Sequence, residues 1–197
     1  MQANDLRFSN LDAIVLVGYE NRGSDLSKRF LRWFLENVFR IEPQDADDAV
    51  VDSKQDTGID GIFVDDITET IYLFQSKTRE SDNATLGDTD LKEFVGSLEQ
   101  FKTSDAIEVL LNSKANPLLK AAITRNDLKA KVAGGFSIEG IFLTYIPEND
   151  DAKDFMKSAP SNVSLYDATR IANEYIGNYT LEKAESTSYN FQGVTGR

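Results

Sequence analysis

Asp60, Gln75 and Lys77 are the residues of this chain whose types and spacing suggest chemistry. Asp60 sits in the run Asp56-Thr57-Gly58-Ile59-Asp60-Gly61-Ile62-Phe63, and Gln75-Ser76-Lys77 closes a run that begins at Ile71. An Asp carboxylate suits Mg²⁺ (or Mn²⁺), a hard ion that takes oxygen ligands and keeps several waters. The Gln75 side-chain oxygen can ligate such an ion directly or through water. A metal held there lowers the pKa of a bound water and offsets charge developing on a phosphoryl oxygen, with Lys77 orienting the water. The ordinary alternative for these residue types is an Asp that closes a turn, a Gln that caps a sheet edge and a Lys in a surface ion pair. The chain has no Cys and no His, which excludes thiolate nucleophiles, Cys or His zinc sites and imidazole bases. Catalysis must fall on carboxylates, amides, lysines and a hard metal ion.

Such a trio needs elements that bring it together. The β-rich runs 58–64 and 71–77, separated by turn chemistry at 65–70, predict a hairpin. A turn centred between Ile67 and Thr68 pairs Asp60 with Gln75, Ile62 with Leu73 and Val64 with Ile71. Side chains alternate along a strand, so Asp60, Gln75 and Lys77 share one face. Phe63, Tyr72 and Phe74 share the other, suited to burial against a helix. A one-residue slip would turn Asp60 into the aromatic face.

Around the hairpin, the spacing predicts a helix from an N-cap at Ser24 to about Phe39, with Leu26, Phe30, Leu31, Trp33, Phe34 and Val38 as its apolar positions. The apolar run 11–19 is short and leans towards helix. After a polar loop at 78–88, Asp90 with Glu93 three residues on has the spacing of a capping box, opening a helix whose stripe is Leu91, Phe94, Val95, Leu98 and Phe101. Gln100 lies on the flank of that stripe. A helical stretch follows Pro117 and ends at Gly134-Gly135; strands are expected over 136–146 and 163–165, and helices over 150–158 and 168–176. The alternation predicts an α/β layer fold with a mixed sheet covered on both faces.

The length, 197 residues with 41% hydrophobic, favours one soluble globular domain. We expect a domain over 1–180 and a polar tail or linker over 181–197 leading to a missing C-terminal part. The lack of Cys and of a basic n-region before an apolar run points to the cytoplasm, with no membrane span. A net charge of −12 argues against a polyanion partner, but the total hides its distribution. Residues 41–66 hold nine acids and one base, whereas 22–40 carry a net +3 and 114–131 a net +4. Basic segments on either side of an acidic one suit a metal site with a polyanion near it, although helices with solvated Lys and Arg give the same pattern.

The two runs around Asp60 and Gln75-Ser76-Lys77 resemble the core of PD-(D/E)xK nucleases, most closely the Mrr-like restriction endonucleases and the N-terminal region of abortive-infection phage-resistance (AIPR) proteins. The likeness spans 52–101. It implies a restriction-endonuclease-like three-layer α/β fold, a central mixed β-sheet flanked by helices, containing a helix, a three-stranded meander, a helix and a further strand. It implies a Mg²⁺-dependent endodeoxyribonuclease domain of a restriction or anti-phage defence protein. Asp60 matches the metal-binding Asp, Gln75 the variant of the second metal position, where an acid is usual, and Lys77 the catalytic Lys. Many such enzymes add a Glu from the first helix; Glu36 is the preferred candidate and Glu20 the other. Asp56 suits a turn or a supporting contact, and Gly58 and Gly61 suit close approach of backbone and ligand. DNA is the expected partner, bound weakly by this domain alone, with further domains or subunits supplying recognition. A homodimer would bring two sites to the two strands of a duplex. Two alternatives share the pattern: an inactive nuclease-like module for binding or assembly, and an RNA-directed nuclease.

Overall fold

The computed structural model describes residues 1–22, 25–51 and 58–177. The chain opens with a 3₁₀ turn (Ala3–Leu6), a single turn α1 (Phe8–Asn10) and a π turn (Leu11–Val15), and then forms α2 (Leu26–Phe34), which runs into a second π turn (Leu35–Phe39). Asp25 starts α2 by accepting the Lys28 N–H, and Arg40 stops the following turn in the left-handed region at φ 68°. Next come α3 (Pro43–Ala49), β1 (Gly61–Asp65), β2 (Thr70–Lys77), α4 (Asp88–Leu98), α5 (Ser104–Asn112), α6 (Pro117–Arg125), α7 (Leu128–Ala133), β3 (Ser137–Thr144), α8 (Asp150–Ser158), β4 (Val163–Tyr166) and α9 (Ala168–Glu174).

The four strands form one mixed sheet in the order β1-β2-β3-β4, antiparallel between β1 and β2 and parallel thereafter. The hairpin register matches the expected pairing: Ile62 faces Leu73, Val64 faces Ile71 and Gly61 faces Phe74. Tyr72 and Phe74 point to one face, where Phe39 meets both rings and Phe34 meets Phe74 and Tyr166. The other face of β3 carries Phe142, packed on Phe94 of α4. Helices α2 and α4 thus cover opposite faces of the sheet, an α/β arrangement of three layers. Before β1, the described residues pair only through the bridge of Val50 with Gly61, so two strands of the expected meander are seen.

Three expectations change. Helix α4 begins at Asp88 after Gly87, so the Asp90–Glu93 capping box does not form. Leu86, buried and bonded through its N–H to the Pro147 carbonyl and through its own carbonyl to the Asn149 N–H, sets that start from outside the helix. The stretch after Pro117 is two helices, broken where Asp127 adopts φ 51°. Helices α3 and α5 were not expected; Pro43 at the first turn of α3 and the Thr103 cap of α5, which accepts the Ala106 N–H, are their local signals. Ser24, Asp56 and the tail expected over 181–197 lie outside the described residues.

Several cations of the basic segments form ion pairs with carboxylates elsewhere in the chain. Arg22 pairs with Glu36 and Asp47, Arg29 with Asp12, Arg32 with Asp47, Lys129 with Glu108 and Lys131 with Asp66.

Candidate active site

Beyond the C-terminal end of β2, where the layers of α2 and α4 approach from opposite faces, lies a cavity of about 440 Å³. Asp60, Gln75 and Lys77 all line it. Asp60 stands one residue before β1, and its backbone is pinned on both sides: its N–H donates to the Phe74 carbonyl (2.7 Å) and its carbonyl accepts the Val51 N–H (2.8 Å). Its carboxylate is aimed by a third bond, with Oδ2 accepting the Ser76 N–H at 2.8 Å. A backbone donor on β2 therefore fixes the side chain that precedes β1.

Gln75 and Lys77 are alternate residues of β2 and flank that donor. The Gln75 Oε1 is buried and has no hydrogen-bond partner among the described residues, an arrangement that costs about 1–3 kcal/mol when nothing compensates it. The Lys77 ammonium is 2.6 Å from Asp90 Oδ1 in the first turn of α4. Asp90 thus holds Lys77 instead of capping a helix.

The α2 wall is its first turn. Ser27 and Ser76 exchange hydrogen bonds: Ser27 Oγ donates to the Ser76 carbonyl (2.5 Å) and Ser76 Oγ to the Ser27 carbonyl (2.9 Å). Lys28 follows, only 3% exposed, with its ammonium 3.2 Å from Asp25. The α4 side contributes Glu93 and Ser97, and Gln100 of the following 3₁₀ turn also faces the cavity. Gly58 closes the rim at φ +70°, where a Cβ would come within 2.7 Å of Ser97 Oγ and 3.8 Å of Gln75 Nε2. Only glycine fits that close approach without strain. Gly61 is tight for another reason: its Cβ would meet Leu31 at 3.1 Å, so the contact is with α2.

The expected helix glutamates lie elsewhere. Glu36 does not line the cavity; it accepts the Tyr19 hydroxyl at 2.5 Å and pairs with Arg22 at 2.5 Å. It stands eight residues beyond Lys28, about 12 Å along the helix, so the turn that meets the site is the one carrying Lys28. Burial, together with the bond to Glu36, pushes the Tyr19 phenol up to about 12. Glu20 accepts the Gly18 N–H, and backbone hydrogen bonds, its own and that of Gly18, hold its carboxyl below its ordinary value.

A divalent ion fits this donor set. Mg²⁺ needs only one or two carboxylates and fills its octahedron with water and other oxygens. Asp60 supplies an oriented carboxylate, Gln75 an orphaned amide oxygen, and Glu93 a second carboxylate on the wall. No group of three or more His, Cys, Asp or Glu side chains placed to hold a metal occurs among the described residues, so water would complete the shell. Lys28 and Glu93 escaped the sequence reading. Lys28 read only as one cation of the basic segment 22–40 and Glu93 as part of a cap; the structure puts the α2 cap at Asp25, not at the expected Ser24. Comparison with protein-family models, with curated proteins and with solved structures finds no match for this chain.

Proposed function

We propose that this chain is a Mg²⁺-dependent nuclease domain of the PD-(D/E)xK type that hydrolyses DNA phosphodiester bonds, the nuclease part of a restriction or anti-phage defence protein. One observation carries the reading: an oriented Asp60 carboxylate, an orphaned Gln75 oxygen and the Lys77 ammonium border one cavity at the end of β2. Asp60 and Gln75 are the residues that would hold the ion. When bound, the ion supplies an acidified water and charge compensation at the phosphoryl oxygens. The chain's own part is positional. Lys77, steadied by Asp90, directs a donor at the attacking water or the oxyanion, and the Ser76 N–H keeps Asp60 from rotating away. In-line attack forms one P–O bond and breaks another, leaving a phosphomonoester and an alcohol.

The test is nicking of plasmid DNA, with RNA as a parallel substrate, by the purified chain in Mg²⁺ or Mn²⁺. Lys77→Ala is expected to lose at least about 100-fold in rate with an unchanged circular dichroism spectrum. Metal-dependent cleavage retained by that variant overturns the assignment. A second reading, a nuclease-like module kept for binding or assembly, is favoured by the engagement of Lys77 with Asp90 and by the Gln in place of an acid. A wild-type chain that neither cleaves nucleic acid nor binds Mn²⁺ in calorimetry establishes that reading instead.

A further inference from the structure

Lys28 is the one charged side chain that is buried among the described residues. An ammonium taken out of water costs several kcal/mol unless it is paired, and Asp25, its partner at 3.2 Å, has a side chain still 52% exposed. The other buried positions of α2 are Phe30, Leu31, Trp33 and Phe34, so packing alone would be served by a methionine or leucine. Position explains the charge better. The Ser27–Ser76 exchange clamps this turn to β2, which sets Lys28 on the wall of the cavity that Asp60, Gln75 and Lys77 also line. Lys28 and Lys77 come from different elements, and the ammonium of each lies within ion-pair distance of a carboxylate, Asp25 and Asp90.

We propose that Lys28 is a second phosphate-binding cation of this cavity and takes a backbone phosphate oxygen of the substrate strand. The inference rests on the nuclease reading and adds to it a substrate contact from α2. Measuring stability beside activity, and adding Lys28→Arg, which keeps the charge, separates function from stability.

The experiment compares the full chain with Lys28→Met and Lys28→Arg. Urea unfolding reports stability, cleavage of a DNA oligonucleotide in Mg²⁺ reports KM and kcat, and anisotropy in Ca²⁺ reports the salt dependence of binding. Lys28→Met is expected to unfold near the wild-type midpoint and to raise KM about tenfold, the loss of one charged hydrogen bond. Its slope of log affinity against log salt should shrink by about 0.7–0.9, the release of one fewer counterion. Lys28→Arg should keep the wild-type slope. A wild-type chain that cleaves, with Lys28→Met at wild-type KM and slope, overturns this inference alone. So does a Lys28→Met variant that loses stability and activity while its slope stays unchanged, since Lys28 is then structural. A wild-type chain that neither cleaves nor binds the oligonucleotide overturns both readings.

Discussion

Glu36 shows how far a residue's type can mislead about its place. It sits in the helix that reaches the cavity, but its carboxylate is spent on Tyr19 and Arg22. Glu36→Gln should therefore retain cleavage within about twofold and lose about 1.5–3 kcal/mol of stability, the range for hydrogen bonds to a charged group. Urea unfolding and the nicking assay read the two effects separately; a folded Glu36→Gln variant without activity would return Glu36 to the site. Asp90 makes the converse point. Its spacing to Glu93 reads as a cap, but its carboxylate pairs with Lys77 at 2.6 Å, and a charged partner outweighs a backbone N–H that water can serve.

At the scale of elements, the hairpin was legible and the docking of α4 was not. The register of β1 on β2 follows from a symmetric turn and a period-2 aromatic face, both local properties. The start of α4 is imposed by Leu86 bridging to the segment after β3, a contact across 62 residues of sequence. The closeness of the two elements is set by Gly140 of β3, whose Cβ would fall 2.4 Å from Leu98 and 3.2 Å from the Phe94 ring. Gly140→Ala should therefore cost about 1–3 kcal/mol, the usual range for overpacking, and should lower the cleavage rate because α4 carries Glu93 and Ser97. A variant with wild-type melting temperature would show that the layers yield there. The division of the stretch after Pro117 into α6 and α7 turns on one left-handed residue, Asp127, which no apolar periodicity reports.

For the whole molecule, folding brings together charges that the sequence keeps apart. The sequence places basic segments on either side of an acidic one; in the fold several of those cations meet carboxylates from distant segments, as Arg32 meets Asp47 and Lys131 meets Asp66. The same network predicts a pH response. Tyr19 is pushed from its ordinary value near 10 to about 12, by burial first and by Glu36 second. Between those values the folded state keeps a proton that the unfolded chain releases, so stability falls as pH rises through this window. Burial raises Tyr145 and Tyr166 as well. Tyr19→Phe should therefore flatten the alkaline loss in urea unfolding without abolishing it; an unaltered slope would remove Tyr19 from the account.

The sequence by itself determined the hairpin that carries Gln75 and Lys77 and the register of β1 on β2, because strand alternation and turn chemistry act over a few residues; the expected pairing of Asp60 with Gln75 is not part of that ladder, which ends at Gly61 opposite Phe74. Only the tertiary structure decided which turn of α2 meets them, what holds Lys77, and which cations are left at the cavity. Those outcomes depend on how two helical layers dock on opposite faces of a sheet, and such contacts join residues too far apart in the chain for any local period to record.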